Sequence, residues 1–285
     1  MTGNQVDKLV LFKNACLSGN LTLVEFIVNN CNITKDDVHD NNFTVLEHLA
    51  HDGFYDILVY LIERFSFTSS EINKGFVFGN ACGKNAKIVE YCILKYGVSA
   101  FMDMLPGCFG TACEYGRMDV VLLLIEKFNI TPEIVKHDNN YAFRCACENG
   151  HLYVAKFLYN KYNITKEDAR MSSFINNDNN YALRGACIEG HLDVVVWLVC
   201  TFSFKAKDFT PMECFISKDN TEFRSVLELV ASNGHLNVIK YMLNGFDFEN
   251  ITLLIIKSYA LAKENGHTAT ADYLISLLKF DPSCL

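Results

Sequence analysis

The chain has 285 residues, of which 50% are hydrophobic and 20% charged, with a net charge of −8 and an isoelectric point near 5.5. A chain of this length and composition buries a core, which excludes the disordered, collagen-like and low-complexity classes. Clustered Lys and Arg favour nucleic acid and anionic membranes, so the acidic balance argues against both as the main partner.

The two chain ends and the apolar runs predict neither secretion nor a membrane span. The first residues, Met-Thr-Gly-Asn-Gln-Val-Asp-Lys, lack the basic-then-apolar pattern of a signal peptide. Apolar runs such as 194–202 are shorter than the roughly 18 residues that a span needs, and Cys284 lies next to last, outside a prenylation signal. We therefore expect a cytoplasmic protein that makes no membrane contact.

An internal repeat is visible in short Gly-His-Leu segments. They occur at 150–152, 190–192 and 234–236, with Thr in place of Leu at 266–268, and weaker copies lie upstream. The repeat predicts a single domain over residues 1–285, built from about eight stacked units. The turns of these units are at Gly19, Gly53, Asn85, Gly116, Gly150, Gly190, Gly234 and Gly266.

The first element of each repeat is predicted to be a helix, called here the inner helix. An Ala-Cys pair precedes the turn, and a large apolar residue stands three positions before the Ala, so spacings of three and four place them on one helix face. The three recurring residues are Phe12, Ala15 and Cys16; Phe78, Ala81 and Cys82; Phe109, Ala112 and Cys113; Phe143, Ala146 and Cys147; and Leu183, Ala186 and Cys187.

The turn and a second helix, the outer helix, follow. Glycine suits the left-handed residue that ends a helix, and Asn85 is predicted to adopt the same conformation because Asn tolerates it. After the turn, apolar residues again recur with helical periodicity. Leu152, Val154, Phe157 and Leu158 correspond to Leu192, Val195, Trp197 and Leu198.

A short capped turn is the third element. Thr34 with Asp37, Thr68 with Glu71, and Thr165 with Asp168 have the spacing of an N-terminal capping box, and Pro132 suits the first position of a helix. Asp-Asn-Asn then occurs at 40–42, 138–140 and 178–180. The last Asn of each is predicted to cap the next inner helix, namely Asn42, Asn140 and Asn180.

An Ala-Cys inner helix followed by Gly-His-Leu resembles the ankyrin repeat, in which the same place reads Ala-Ala-x-x-Gly-His-Leu. The resemblance spans residues 10–280 and implies an all-α solenoid of helix-turn-helix repeats that binds a protein and is not an enzyme. The Asn-, Phe- and Tyr-rich sequence resembles the ankyrin proteins expanded in amoebae and giant viruses, which implies the host cytoplasm for a viral chain. Tyr-Ala-Phe-Arg at 141–144 replaces the family's Thr-Pro-Leu-His, and the usual hairpin fingers are not expected.

No catalytic, cofactor, metal or small-molecule site is predicted. Five of the twelve cysteines share one repeat position, and adjacent helices lie roughly 8–10 Å apart, too far for disulfides or a shared zinc, so these cysteines are expected to be reduced core residues. Residues 79–85 resemble a phosphate loop but lack its spacing and its Ser or Thr. The histidines beside the turns are expected to hydrogen-bond the backbone of the adjacent repeat. They are His151, His191, His235 and His267.

The candidate binding surface is the part of the inner helices that the core leaves free. There the repeats differ, and the resemblance implies that these positions face partners; Tyr and Arg are also enriched among binding residues. The predicted contacts are Glu114, Tyr115, Tyr141, Arg144, Glu148, Asn149, Tyr181, Arg184, Ile188 and Glu189. In the alternative interpretation the Tyr residues pack the stack and the Arg residues pair with Glu148 or Glu189 at helical spacing.

Two functions of different class remain open. The first is an adaptor or sequestering protein that binds one partner through this concave surface, with the enlarged connections 166–180 and 205–222 as further contacts. The second is a structural or scaffold component of a larger assembly or virus particle.

Overall fold

The computed structural model describes residues 3–74, 76–171, 180–209 and 224–278. These ranges contain helices and no strand, which confirms the predicted all-α class of stacked helix pairs. The chain divides into two compact units, Met1–Ile134 and Val135–Leu285, here called unit one and unit two. In the described part of the chain, no helix is both long enough and apolar enough to cross a bilayer.

Unit one contains four helix pairs. The inner helices pack side by side in chain order, and each contacts its own outer helix. The helices are α1 (Gly3–Leu17), α2 (Leu21–Asn30), α3 (Lys35–Val38), α4 (Asp40–Asp52), α5 (Tyr55–Phe65), α6 (Ser69–Lys74), α7 (Val77–Lys84), α8 (Ala86–Tyr96), a 3₁₀ helix (Val98–Met104), α9 (Leu105–Glu114) and α10 (Met118–Phe128), and α11 (Pro132–Val135) follows them.

The described residues of unit two, 135–171, 180–209 and 224–278, also form four helix pairs, with the same packing of inner helix on inner helix. Its helices are α12 (His137–Glu148), α13 (Leu152–Tyr162), α14 (Lys166–Ala169), α15 (Tyr181–Ile188), α16 (Leu192–Phe202), a 3₁₀ turn (Ala206–Asp208), α17 (Val226–Ser232), α18 (Leu236–Gly245), α19 (Ile251–Glu264) and α20 (Thr268–Leu277).

The core of each unit is built by the recurring residues of the inner helices. Phe12, Phe78, Phe109, Phe143 and Leu183 are all fully buried, as the helical spacing predicts. The five Ala-Cys pairs beside them are buried too, because small side chains let neighbouring helices approach closely.

The turn glycines adopt the left-handed conformation that the sequence predicts, with φ between 64° at Gly116 and 83° at Gly190. The prediction for Asn85 was wrong, because its φ is −145°. Only one residue separates α7 from α8, whereas three separate α12 from α13, so the third repeat has no left-handed position to fill. Asn85 instead caps α8 by accepting a hydrogen bond from Lys87 N at 3.0 Å.

The capped turns form as predicted. Thr34 with Asp37 and Thr165 with Asp168 make complete capping boxes at α3 and α14. The capping of inner helices by Asn was a wrong prediction for Asn140 and Asn180. Both residues are left-handed, with φ of 62° and 69°, and their side-chain amides donate to the carbonyls of residues 168 and 208. The side chain of Asn42 lies outside the described residues.

Candidate functional site

Consecutive capped turns are joined by ion pairs. In unit two, Lys136 Nζ lies 2.8 Å from Asp168 Oδ2, and Arg170 lies 2.8 Å from Asp208 Oδ1. In unit one, Lys35 pairs with Glu71 in the same way, and Lys8 of the inner helix α1 pairs with Asp37. Burial alone would raise the pKa of Asp168, but hydrogen bonds from Lys136 and Thr165 outweigh it and hold that pKa below its usual value. These pairs fix the spacing of the inner helices.

Three turn histidines of unit two, His191, His235 and His267, pack against the glycine of the preceding turn. A Cβ added to Gly150 would lie 2.6 Å from His191 Cε1, and one added to Gly190 would lie 2.7 Å from His235 Cε1. His235 also forms the predicted hydrogen bond with the backbone, at Ile188 of the preceding repeat, and burial lowers its pKa. The histidines therefore act as spacers between turns.

Arg144 is not a surface residue. Its side chain is 3% exposed, and its guanidinium donates to the carbonyls of Asn139 and Asp138 at 2.7 and 2.9 Å. Three consecutive left-handed residues, 138–140, turn these carbonyls toward the guanidinium. Arg184 holds the same place in the next repeat and is 2% exposed. The prediction that these two Arg residues contact a partner is thereby corrected, because such buried side chains offer almost no surface.

Tyr181 connects the inner helices α12 and α15. Its hydroxyl donates to Glu148 Oε1 at 3.0 Å, and its ring lies 4.9 Å from the guanidinium carbon of Arg144. Burial and the nearby Glu148 carboxylate raise the pKa of Tyr181 well above its usual value. Tyr181 thus combines a packing role with a half-exposed position, and Tyr141 on α12 is half-exposed too.

The remaining predicted contacts lie where the inner helices end. Asn149 and Glu189 are exposed, and Glu148 and Ile188 are half-buried. In unit one, Glu114 is half-buried and Tyr115 exposed, with Lys84 Nζ 4.4 Å from the Tyr115 ring centre. The parts of the enlarged connections at 172–179 and 210–223 lie outside the described residues.

The same edge of unit two continues on residues that the sequence analysis did not select. Asn233 donates its side-chain amide to the Ile188 carbonyl at 2.9 Å, and Asn265 donates to Ser232 Oγ at 2.9 Å. An Asn directly before the turn glycine at 149, 233 and 265 is the signal that could have revealed them. We call this edge the rim. Its residues are Glu148, Asn149, Ile188, Glu189, Ser232, Asn233, Glu264 and Asn265.

The chemistry of the described residues is that of a binding surface. Within the described ranges, no group of three or more His, Cys, Asp or Glu side chains could hold a metal ion. Burial raises the pKa of the Cys16 and Cys92 thiols to about 12, so both stay protonated at neutral pH. The polar groups that the structure exposes along the rim are carboxylates, amides and a hydroxyl, which recognise by hydrogen bonds and charge.

Stacked helix pairs with left-handed glycine turns and a variable edge define a helical-repeat protein. Residues 109–209 match a family model described as ankyrin repeats, three copies. Ankyrin repeats are therefore present at residues 109–209, and ankyrin repeats as a class are protein-interaction modules that are generally not catalytic. No curated protein matches the chain.

Proposed function

We propose that the rim of unit two binds another protein and that the chain acts as a non-catalytic adaptor or sequestering protein. One contrast carries the proposal. Two Ala-Cys pairs behind the rim, at 146–147 and 186–187, are small and buried, whereas the rim positions hold Glu-Asn, Ile-Glu or Ser-Asn and are exposed or half-exposed. A rigid frame that carries variable side chains is the arrangement of a repeat protein that recognises a partner along an extended surface.

The charge of the rim indicates the kind of partner. Glu148, Glu189 and Glu264 are its charged residues, and the others are Asn, Ser or Ile. Complementary charge steers association and fixes the register of a complex. We therefore propose a protein partner whose contact surface carries Lys or Arg beside hydrogen-bonding groups. The proposed compartment is the cytoplasm, which is the host cytoplasm if the chain is viral.

Affinity capture with a matched pair of charge reversals tests this. Glu189→Arg changes the rim, and Asp193→Arg makes the same charge change four residues later, at the exposed start of outer helix α16. We expect Glu189→Arg to deplete a defined set of captured proteins, measured by quantitative mass spectrometry, and Asp193→Arg to retain that set. If wild type and Glu189→Arg captured the same proteins equally, the rim would not be the binding surface. Equal depletion by both variants would assign the effect to net charge.

A structural or scaffold role is the second candidate, and a different observation favours it. The first repeat exposes the apolar side chains of Leu11, Leu23 and Phe26, and terminal repeats ordinarily present a polar outer face. Quantitative mass spectrometry of native assemblies separates the two functions. Many copies in one particle would favour the structural role, and few copies with one partner would favour the adaptor.

A further inference from the structure

The first repeat leaves uncovered an apolar face that the later repeats bury. Leu11 stands eight residues before the turn glycine and Leu23 four residues after it, and they are 49% and 39% exposed. In the second repeat the same positions hold Val45 and Ile57, which are buried, and the corresponding positions of the six repeats that follow are buried as well. Phe26, on the same outer helix as Leu23, is 62% exposed.

The later repeats also show what covers these positions. Val45 lines a small cavity of about 100 Å³ together with Cys16 and Leu17 of the preceding repeat. Cys108, at the same position in the fourth repeat, makes a thiol hydrogen bond with Cys82 of the third. The face formed by Leu11, Asn20, Leu23 and Phe26, here called the leading face, is therefore shaped for the trailing edge of another helix pair.

The leading face carries no exposed charge. From residue 10 to residue 32, every exposed side chain is uncharged, and Lys13 and Glu25 are half-buried. Covering this face consequently requires no exposed ion to lose its water. Depletion of charge around an apolar centre is typical of the buried part of protein interfaces.

Asn20 adds a polar feature that identifies the occupant. In the third repeat, Asn85 caps its outer helix and donates its amide to the carbonyl of Gly53, the preceding turn glycine, at 3.1 Å. Asn20 caps α2 in the same way, accepting from Leu23 N at 3.0 Å, and is exposed. By this correspondence, the Asn20 amide is placed to meet the carbonyl of a turn glycine.

The last repeat presents such a glycine. In unit two, the Cβ sides of Gly150, Gly190 and Gly234 are covered by the histidine of the following repeat, whereas a Cβ at Gly266 would meet nothing within 4 Å. Ile275, nine residues after Gly266, is exposed. The same position is buried in the first two repeats, at Val28 and Ile62, and half-buried in the fourth to seventh repeats. Gly266, Ile275 and Leu277 form the trailing edge of the last repeat. This edge provides a turn glycine and apolar side chains of the kind that would cover the leading face.

We propose that a second copy of this chain binds head to tail, with the trailing edge of its last repeat on the leading face of the first repeat. Lys263 weakens the contact, because it stands three residues before the turn, where five earlier repeats have a buried Cys. Association is consequently reversible. The contact uses different surfaces on the two copies, so it continues beyond a dimer unless it closes into a ring.

Sedimentation velocity of the full chain over a wide concentration range tests the proposal. We expect the mean mass of the wild type to rise past that of a dimer. Phe26→Asp blocks the leading face, and Gly266→Asn fills the trailing edge while Asn tolerates the left-handed φ of 78°. Each variant alone should remain a monomer, and an equal mixture of the two should form dimers and nothing larger. Leu94→Asp, at a 77% exposed apolar residue of α8 outside both faces, should behave as wild type.

A gain of association gives an independent check. Lys263→Ala restores a small side chain at the trailing edge and should lower the concentration of half-association by roughly tenfold. A wild type that stays monomeric at every concentration would overturn the proposal. The proposal would also be overturned if Gly266→Asn still formed a dimer, or if Lys263→Ala left the concentration of half-association unchanged. Either result would indicate a symmetric contact between two leading faces. Circular dichroism melting of each variant verifies that the single chain is folded.

Discussion

The Tyr181 hydroxyl donates to Glu148 Oε1 across the junction of two consecutive repeats, at 3.0 Å. The two residues lie 33 positions apart in the chain, so the bond fastens one inner helix to the next. Glu148 belongs to the rim and Tyr181 lies beside it. The hydrogen bond between Tyr181 and Glu148 therefore both joins two repeats and positions a side chain of the rim.

Tyr181→Phe removes this bond and leaves the ring in place. We expect the free energy of unfolding to fall by about 1 kcal/mol, the usual net contribution of one hydrogen bond, as measured by urea titration. A double-mutant cycle with Glu148→Ala isolates the pair. Strictly additive losses in that cycle would contradict a direct bond between the two side chains.

Arg144 is expected to stabilise the left-handed turn at 138–140 through both of its carbonyl contacts. Arg144→Met should cost about 2 kcal/mol or more, because hydrogen bonds made by charged groups contribute roughly 1.5–3 kcal/mol each. Arg144→Lys should recover little, since an ammonium lacks the planar fork of guanidinium. Urea titration measures the loss. Hydrogen exchange should rise first around the turn, and unchanged exchange there would argue against this role.

Glu71 should make stability depend on pH. Burial alone would raise its pKa, but hydrogen bonds from Lys35 and Thr68 outweigh it and lower the pKa from 4.5 to about 2. Since the folded pKa lies below the unfolded one, the stabilisation is complete above pH 4.5 and is lost as the pH falls toward 2. Glu71→Gln should therefore be less stable than wild type at neutral pH. Urea midpoints at a series of pH values should converge near pH 2, and a constant difference would count against the assignment.

Gly150 and Gly266 form a matched pair of left-handed glycines, with φ of 76° and 78°. Gly266→Ala should cost roughly 1–2 kcal/mol from backbone strain alone. Gly150→Ala should cost clearly more, because its Cβ would also collide with the His191 ring. Thermal melting compares the two. Gly150→Ala/His191→Ala should regain part of the difference, and equal losses at both glycines would refute the spacer role of the histidine.

Phe143→Ala should cost roughly 3–5 kcal/mol, since the ring is fully buried. Its ring centre lies 6.3 Å from that of Trp197, the one tryptophan of the chain. Trp197 fluorescence should shift on this substitution, and hydrogen exchange should rise most in the repeats that contact α12. A uniform rise of exchange along the chain would contradict local damage.

The elements that the sequence predicts correctly are specified by residues close together in the chain. A glycine beside an Ala-Cys helix specifies the left-handed turn, and Thr34 with Asp37 specifies a capped turn within four residues. These features required no knowledge of the three-dimensional neighbours of any residue.

The errors arose where distant or missing residues decide the structure. Asn85 stands where the other repeats have the turn glycine, but one residue joins α7 to α8 where three join α12 to α13, and the sequence pattern does not show this shorter connection. Arg144 resembles a binding residue by type, and its burial depends on carbonyls that three left-handed residues redirect. Likewise, the pairing of Lys136 with Asp168 spans 32 residues, so no short motif indicates it. The predicted partner contacts other than Arg144 and Arg184 remain a prediction.

The capped turns at 34–38 and 165–170 each bind to the repeats before and after them. Asp168 accepts from Lys136 of the turn before, and Arg170 of the same turn donates to Asp208 of the turn after. In unit one, Asp37 accepts from Lys8 of the preceding inner helix, and Lys35 donates to Glu71 of the following turn. Such a repeat supplies one residue to the ion pair before it and another to the ion pair after it. An internal duplication of the gene segment that encodes it would therefore recreate complete ion pairs on both sides. The protein can lengthen by whole repeats without a new type of contact between them.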